Sequence, residues 1–533
     1  MIKKLLALLS AIVLVFTLTA CKDNTIDLSV VNPENDVYYE IFVRSFADSD
    51  GDGVGDFNGI TAKLPYLADL GVSGLWLMPI QPAASYHGYD VTDYYDVNAD
   101  YGTMADFEAL CQAADDLGIR IMLDMVFNHT SNQHPWFQAA LAGDEQYLDY
   151  YVTAPTSTNT SKLLGSWGQT IWHTTDNFKY VGYFSYTMPD LNLYSDAVNE
   201  EILNISKFWI DKGVSGFRLD AVHHYFGDNE YIGMDNNYLD NVIYLKNYRK
   251  AIDAYTDNFF IIGEAYIEDL YNVVADYFAG IDSPIDFPVA AKLRSSANQT
   301  INRGYVSMLS LIYNSYADIN PDFISTPFLV NHDMDRLASQ VLGDEQTLKL
   351  AAEMLLSLPG DPIIYYGEEL GQFGYKASGP DIWDETRRMP FLWGDEYTTD
   401  WIVSSNASLI DLEAQNANVD NAQAQMDDPN SLYNVYKTMI ALRNANMALK
   451  YGNSFVAYEN NTGALQGYYR EYTYDTLSQK VLVLHNFSNE AIDMISYDGT
   501  ILYVSGLSDL SSVTQIPARS TVVIEINPGD SNA

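Results

Sequence analysis

The chain has 533 residues, 47% hydrophobic and 19% charged, which is enough apolar material for a sizeable core and excludes a disordered or low-complexity protein. Its 71 acidic residues against 28 basic ones give a formal net charge of -43. Such a charge repels nucleic-acid phosphates and anionic lipid surfaces, so the expected partners are neutral molecules or cations, and nothing in the composition calls for more than a monomer.

In chain order, the first residues read as an export signal. Lys3 and Lys4 supply its positive end, Leu5 to Leu18 its apolar stretch, and Leu18-Thr19-Ala20-Cys21 a small-residue cleavage site. The apolar stretch is short of the roughly 20 residues that span a bilayer. Ending on Cys21, it resembles the lipobox of bacterial lipoproteins, which implies a signal peptide over 1–20, lipid on the Cys21 sulfur and an extracytoplasmic protein held to the cell membrane only by that anchor. A secreted form is the alternative. With Cys21 lipidated, Cys111 has no partner for an intrachain disulfide.

After a polar linker over 21–36 the chain repeats one phrase: an apolar run, a polar loop, a helical pattern. The runs are Val37 to Phe42, Val72 to Pro79, Ile119 to Val126, Val214 to Leu219, Phe259 to Ile262, a weaker Pro284 to Phe287, Phe328 to Val330 and Ile363 to Tyr366. Helical patterns such as Met104 to Leu117 and Leu239 to Tyr255 separate them. Eight nearly continuous apolar strands predict a parallel sheet covered on both faces, in count and spacing a (β/α)8 TIM barrel. The barrel is expected over 37–130 and 189–450, interrupted after the third strand by an inserted domain over 131–188 that is rich in Thr, Ser, Tyr and Trp. Gly371 to Asn430 reads as irregular, and Leu432 to Leu449 as the last barrel helix. From 451 to 533, alternating runs such as Lys480 to Asn486, Thr500 to Val504 and Thr521 to Ile526 predict an antiparallel β-sandwich domain.

Side chains at the C-terminal ends of barrel strands face the active site of such folds. Here those ends carry Asp124 to His129, Arg218-Leu219-Asp220, Gly263-Glu264 and Asn331-His332-Asp333. Arg218 and Asp220 point to the same side of an extended segment, so the guanidinium holds the carboxylate ionised. In isolation that is equally a structural ion pair at a strand end. Three acids and two histidines on one pocket mouth change the reading, because two carboxylates across a glycosidic bond supply what its cleavage needs. Asp220, with a low pKa, is the expected nucleophile; Glu264, next to Asp333 and after an apolar strand, is the expected acid/base with a raised pKa.

Asp124-Met125-Val126-Phe127-Asn128-His129, Gly216-Phe217-Arg218-Leu219-Asp220, Gly263-Glu264 and Phe328-Leu329-Val330-Asn331-His332-Asp333 resemble, in this order, the four signature regions of the α-amylase family of glycoside hydrolases. The resemblance implies a retaining mechanism, with Asp220 as nucleophile, Glu264 as acid/base and Asp333 holding the hydroxyls of the distorted sugar. It implies substrate contacts by Arg218, His129 and His332, and, from the similar loop His87-Gly88-Tyr89-Asp90, by His87, Tyr89 and Asp90, with Tyr89 stacking on the sugar ring. Met188-Pro189-Asp190-Leu191-Asn192 resembles a fifth signature found in members intermediate between oligo-1,6-glucosidases and neopullulanases. Ala221 resembles members that cut α-1,4 bonds, while His223-His224 departs from the Lys-His of other α-amylases. Trp136, Trp167 and Trp172 are further candidates for sugar stacking.

Asp48-Ser49-Asp50-Gly51-Asp52-Gly53-Val54-Gly55-Asp56 places acids at every second position, with glycines that let the chain wrap. Hard oxygen donors so spaced suit Ca²⁺, although Ile60 stands where an EF-hand has its Glu. The loop resembles a calcium site after the first barrel strand of oligo-1,6-glucosidase-like members, with Asp48, Asp50, Asp52, the Val54 carbonyl and Asp56 as ligands. A second family site would use Asn128 and Asp190. The expected activity is endo-hydrolysis of α-1,4 bonds in starch or maltodextrin polysaccharides. Exo-acting α-glucosidase or 4-α-glucanotransferase activity is the alternative within enzymes, and a non-catalytic starch-binding surface lipoprotein the reading from another class.

Overall fold

The computed structural model describes residues 36–160, 163–165, 168–226, 238–377, 384–401, 407–475 and 477–527. The expected signal peptide, Cys21 and all of the linker but Asp36 lie outside them.

The apolar runs become short, buried parallel strands: β1 (Tyr38–Ile41), β2 (Gly74–Leu77) and β3 (Arg120–Met125) come first. The inserted segment then contributes β4 (Thr153–Pro155), β5 (Trp172–Thr174) and β6 (Phe178–Val181), an antiparallel sheet in the order β4-β6-β5. The barrel resumes with β7 (Gly216–Leu219), β8 (Phe260–Gly263), β9 (Ser283–Pro284) and β10 (Ile363–Tyr365). Its seven strands are ordered β10-β1-β2-β3-β7-β8-β9, all neighbours parallel. The expected strand at Phe328 to Val330 is reduced to two parallel bridges, Ile285 to Thr326 and Phe328 to Ile363, and these close the barrel between β9 and β10. β9 stops short of the expected Phe287 because Asp286 caps the next helix, Phe287–Ala297, accepting the Val289 N–H at 3.1 Å.

The helices follow their local signals. Met104–Asp115 opens on a capping box between Thr103 and Asp106. The helix Phe57–Leu70 is capped by Asp56 and ends on Gly71 in the left-handed region (φ 97°), a position that favours glycine. The expected last barrel helix is split at Asn446 into Leu432–Ala445 and Met447–Lys450, the Asn446 side chain capping the second piece. Gly371 to Asn430, expected to be irregular, contains two helices, Ala407–Asn416 and Ala422–Asp427. Beyond the barrel, β11 (Val456–Ala457), β12 (Leu465–Tyr474), β13 (Leu477–Asn486), β14 (Ile492–Asp493), β15 (Gly499–Val504), β16 (Gln515–Ile516) and β17 (Ser520–Ile526) form antiparallel sheets ordered β11-β12-β13-β17-β15 and β14-β16. β12 escapes a reading by alternation because it buries Arg470 among its apolar residues. That guanidinium donates to the Ser357 carbonyl at 2.7 Å and joins the C-terminal sheet to the barrel.

Candidate active site

The C-terminal ends of β1, β3, β7 and β8, together with the loops after β2 and after the 326–328 segment, converge on one cluster of charge. Its hub is Arg218, fully buried on β7. Its Nη1 donates to Asp124 Oδ1 at 2.7 Å and to Asp220 Oδ1 at 2.6 Å. Nη2 lies 2.8 Å from Glu264 Oε2, an ion pair without hydrogen-bond geometry. One guanidinium thus holds three acids that would otherwise repel one another in a dry site.

The expected low pKa of Asp220 is not what the structure gives. Burial raises its carboxyl to about 6, and the Arg218 charge only partly offsets that desolvation. Glu264 is raised to about 7, by burial first and by the Asp220 and Asp333 charges as well. Both carboxyls are thus raised by burial, and the low pKa expected for Asp220 is not found. Asp333, two-fifths exposed at the pocket mouth, is held well below the usual carboxylate range by His332, Arg388 and Arg218, which together outweigh its desolvation. Arg388 Nη2 donates to Asp333 Oδ1 at 3.0 Å.

The aromatic wall is equally specified. Tyr89 stacks on His332 with ring centroids 5.5 Å apart and on His87 at 6.1 Å. Its hydroxyl lies 2.7 Å from His332 Nε2 and donates to Asp124 Oδ2 at 2.9 Å. His129 is buried, with a pKa lowered to about 4 by desolvation, so it is neutral. Because its Nε2 faces the Tyr89 carbonyl oxygen at 3.0 Å, and that oxygen only accepts, the ring proton is on Nε2. Asp90 is turned into its own loop, accepting the Ser85 N–H at 3.1 Å and the Ser85 hydroxyl. Ala221, next to Asp220, has φ 51°, a left-handed conformation that costs an alanine about 1–2 kcal/mol. That turn aims its N–H at Glu264 Oε2, 3.2 Å away.

Two members of the cluster, Glu40 and Arg388, are not marked in the sequence, and a third, Asp124, stands in a signature motif without an assigned role. Glu40 is an acid inside the apolar run of β1 and contacts His332 Nδ1 at 2.5 Å. Asp124, fully buried, also accepts from the Trp76 indole at 3.3 Å. Arg388 comes from the segment taken as irregular. For Glu40 and Asp124 the signal was present: an ionisable residue in a strand buried on both faces is costly unless paired. Of the aromatic candidates in the inserted domain, Trp172 is a core residue and Trp136 is a partly buried one packed among other rings. Trp172 is 5% exposed and packs with Ile171, Val181 and Tyr183, while Trp136 packs on Tyr94, His134 and Tyr150. Trp167 lies outside the described residues.

The 48–56 loop brings carboxylate oxygens of Asp48, Asp50 and Asp56 within 4.8 Å of one another, with Asp48 and Asp56 buried. Asp52 is not in that group and accepts the Val54 N–H at 2.8 Å. Asp48 accepts N–H groups from Asp50, Gly51 and Gly53 at 2.7–3.0 Å, and Asp56 that of Ser49 at 2.7 Å. Asn128 and Asp190 line a cavity of about 210 Å³ between inserted domain and barrel, along with Asp149 and His224. There Asn128 is engaged by His129 Nδ1 at 3.3 Å, and Asp190 Oδ1 accepts the Tyr183 N–H at 3.3 Å.

Comparison with known proteins agrees with this geometry. Residues 40–452 match the family described as "Alpha amylase, catalytic domain". "Alpha-amylase 3" of Dictyoglomus thermophilum is 35% identical over 508 residues, covering 92% of this chain and 93% of its own. A "Probable alpha-glucosidase" of Rhizobium meliloti is 30% identical, covering 87% of this chain and 91% of its own. The crystal structure of the α-amylase from H. orenii superposes with a TM-score of 0.81 at 35% identity, covering 93% of this chain and all of that one. A catalytic-domain match spanning the whole barrel, on a fold that gathers its acids at one strand end, means that this chain belongs to the α-amylase family and is a glycoside hydrolase.

Proposed function

We propose that the protein hydrolyses internal α-1,4-glucosidic bonds of starch-like polysaccharides with retention of configuration. The observation that carries this reading is the unequal placing of two carboxyls on one guanidinium: Asp220 accepts from Arg218 Nη1 at 2.6 Å, while Glu264 lies beside Nη2 at 2.8 Å without a hydrogen bond to it. The hydrogen bond favours the ionised form of Asp220, and burial with the Asp220 and Asp333 charges favours the protonated form of Glu264, which is the division of labour a retaining pair needs. Sharing Arg218 also favours the short carboxyl spacing of about 5 Å that distinguishes retaining from inverting enzymes.

Glu264 gives its proton to the glycosidic oxygen as the bond from that oxygen to the anomeric carbon breaks, and Asp220 closes a covalent bond to the same carbon. Glu264, now ionised, takes a proton from water, whose oxygen displaces Asp220 and regenerates both groups. Asp333, kept anionic by His332 and Arg388, accepts sugar hydroxyls as the ring flattens. Tyr89 and His87 form a stacked wall for that ring, with His129 and His332 as its polar contacts. Ala221 and the near full-length similarity to Alpha-amylase 3 support α-1,4 endo action, whereas the similarity to a probable α-glucosidase supports exo action on the same machinery. Long amylose separates the two: endo action predicts a rapid fall in iodine staining with few reducing ends, and glucose as sole early product overturns it.

The same reading gives the 48–56 loop a calcium ion. Three carboxylates at this spacing repel strongly without a cation, and hard oxygens at a glycine-rich turn fit Ca²⁺. Asp48, Asp50 and Asp56 would hold it, with Asp52 and the Val54 carbonyl completing the set expected from sequence. The ion would supply charge neutralisation where Asp56 also caps the helix Phe57–Leu70. Calcium at about a hundredfold over its Kd should stabilise the fold by about 2.7 kcal/mol. Calorimetry with and without EDTA checks this: Asp48→Asn is expected to lower Tm and abolish the calcium response, and a wild-type Tm indifferent to EDTA refutes the site.

A further inference from the structure

Glu40 has no part in the chemistry derived so far, yet it is fully buried and sits at the inner end of the cluster. β1 places it in register with Trp76 on one side and Tyr365 on the other, and its carbonyl accepts the Tyr366 N–H at 3.0 Å, so its backbone has no freedom. We propose that Glu40 is a positioning residue: its carboxylate fixes His332 as a doubly protonated imidazolium and thereby sets the direction of every hydrogen bond from His332 through Tyr89 and Asp124 to Arg218. The inference rests on the hydrolase reading above for its consequence, and on geometry alone for its core.

The geometry leaves one consistent wiring. A carboxylate only accepts, so the Glu40 contact at 2.5 Å puts a proton on His332 Nδ1. Nε2 faces Asp333 Oδ2 at 3.2 Å, a second group that only accepts, so it too is protonated. His332 then also donates from Nε2 to the Tyr89 oxygen, 2.7 Å away. With its lone pair engaged, the Tyr89 hydroxyl turns its own proton to Asp124 Oδ2 at 2.9 Å. Asp124, so satisfied on Oδ2, shares Arg218 Nη1 with Asp220 rather than monopolising it. A chain of directed bonds thus runs from β1 to the nucleophile.

A neutral His332 breaks the chain at its second link. If Nδ1 keeps the one proton, Nε2 becomes an acceptor, the Tyr89 hydroxyl turns toward it, and Asp124 Oδ2 retains only the Trp76 indole at 3.3 Å. Asp333 meanwhile loses its nearest cation on that side, keeping Arg388. The groups facing the imidazole are Glu40 from the barrel wall, with Tyr365 as its register neighbour, Tyr89 and Trp76 from the β2 side, Asp333 beside it, and Asp124 and Glu264 across the pocket, with Arg218 and Arg388 as competing cations. Burial alone would deprotonate the ring, but Asp333 and Glu40 overcome it and hold its pKa at about 10. Among the described residues, Glu40 Oε2 is buried without a hydrogen-bond partner, and the side-chain hydrogen bond of this carboxylate goes to the histidine.

Glu40→Gln keeps shape and hydrogen-bonding capacity while removing charge, and the protein labelled with ¹⁵N-histidine reads the result directly. In the full chain the His332 resonances, assigned by their loss in His332→Gln, are expected to hold the imidazolium signature through pH 8.5. In Glu40→Gln they are expected to titrate at least tenfold closer to neutral proton activity, with kcat on soluble starch falling about tenfold or more and KM little moved. Glu40→Asp, which keeps the charge at shorter reach, is expected to restore the imidazolium and part of kcat, and it stands in if the glutamine variant does not fold. A wild-type His332 that is neutral at pH 7, or a Glu40→Gln protein whose His332 titration is unchanged, overturns the proposal. The titration decides this even for a protein inactive on starch, so failure of the substrate reading shows up separately.

Discussion

Asp220→Asn is expected to lower kcat on soluble starch by about 10⁴-fold or more, a loss near 5 kcal/mol of transition-state stabilisation, without unfolding the protein. The amide cannot form the covalent intermediate, yet it fills the same space, and Arg218 keeps Asp124 and Glu264 as partners. Removing a carboxyl whose burial already opposes its ionisation costs the fold little. Reducing-sugar release together with a thermal melt makes the check: a variant that melts like wild type and retains full activity removes Asp220 from the role of nucleophile, and with it the mechanism derived above.

Arg218→Met has a different expected signature, because that guanidinium serves structure and chemistry together. Methionine fills the volume but leaves Asp124, Asp220 and Glu264 buried around no cation, and losing one partner of such a set costs about 3–5 kcal/mol. The pH dependence fixes the sign. Carboxyls whose folded pKa is raised above the unfolded value stabilise fully below about pH 4 and lose that contribution as pH rises through the folded value. Without Arg218 the raised values of Asp220 and Glu264 rise further, so denaturant melts should show a small deficit at pH 5 and a large one at pH 8. In wild type, kcat/KM should be bell-shaped, with limbs near 6 from Asp220 and near 7 from Glu264. Residual activity of the variant should have its acid limb displaced upward. A deficit that is independent of pH means that Arg218 acts by packing alone.

Much of the site was legible because barrel strands buried on both faces read as continuous apolar runs, so the first charged residue after each run marks the pocket. Asp220, Glu264, His332 and Asp333 are found that way, and Arg218, which lies inside its run, through its two-residue spacing from Asp220. Glu40 lies deep within its run and Asp124, though named at its strand end, carries no role there, because a buried acid has meaning only once its partner from another strand is known: His332 for one, Arg218 for the other. Arg388 reaches Asp333 from 55 residues further along the chain, through a segment with no periodicity to announce it. The pKa of Asp220 was misjudged for a related reason, since a local Arg-Asp spacing shows the Coulomb attraction but not the desolvation that opposes it. The tryptophans of the inserted domain show the same limit from the apolar side: Trp172 finds its partners in a small core of its own and Trp136 stacks on Tyr94 from the barrel, which no stretch of sequence around them reveals.

The barrel is closed unevenly. Elsewhere neighbouring strands share ladders, but from β9 to β10 closure passes through isolated bridges at Thr326 and Phe328. Opening is least costly where fewest backbone bonds must part, so amides along this line should exchange with solvent ahead of those in β1, β2, β3 and β7. Asp333 hangs from the 326–328 segment, whereas Asp220 and Glu264 follow fully laddered strands. Warming should therefore dismantle the site in sequence, Asp333 departing before Asp220 and Glu264. Thermal inactivation of this protein should accordingly begin as a local, reversible event below the temperature at which the barrel itself melts.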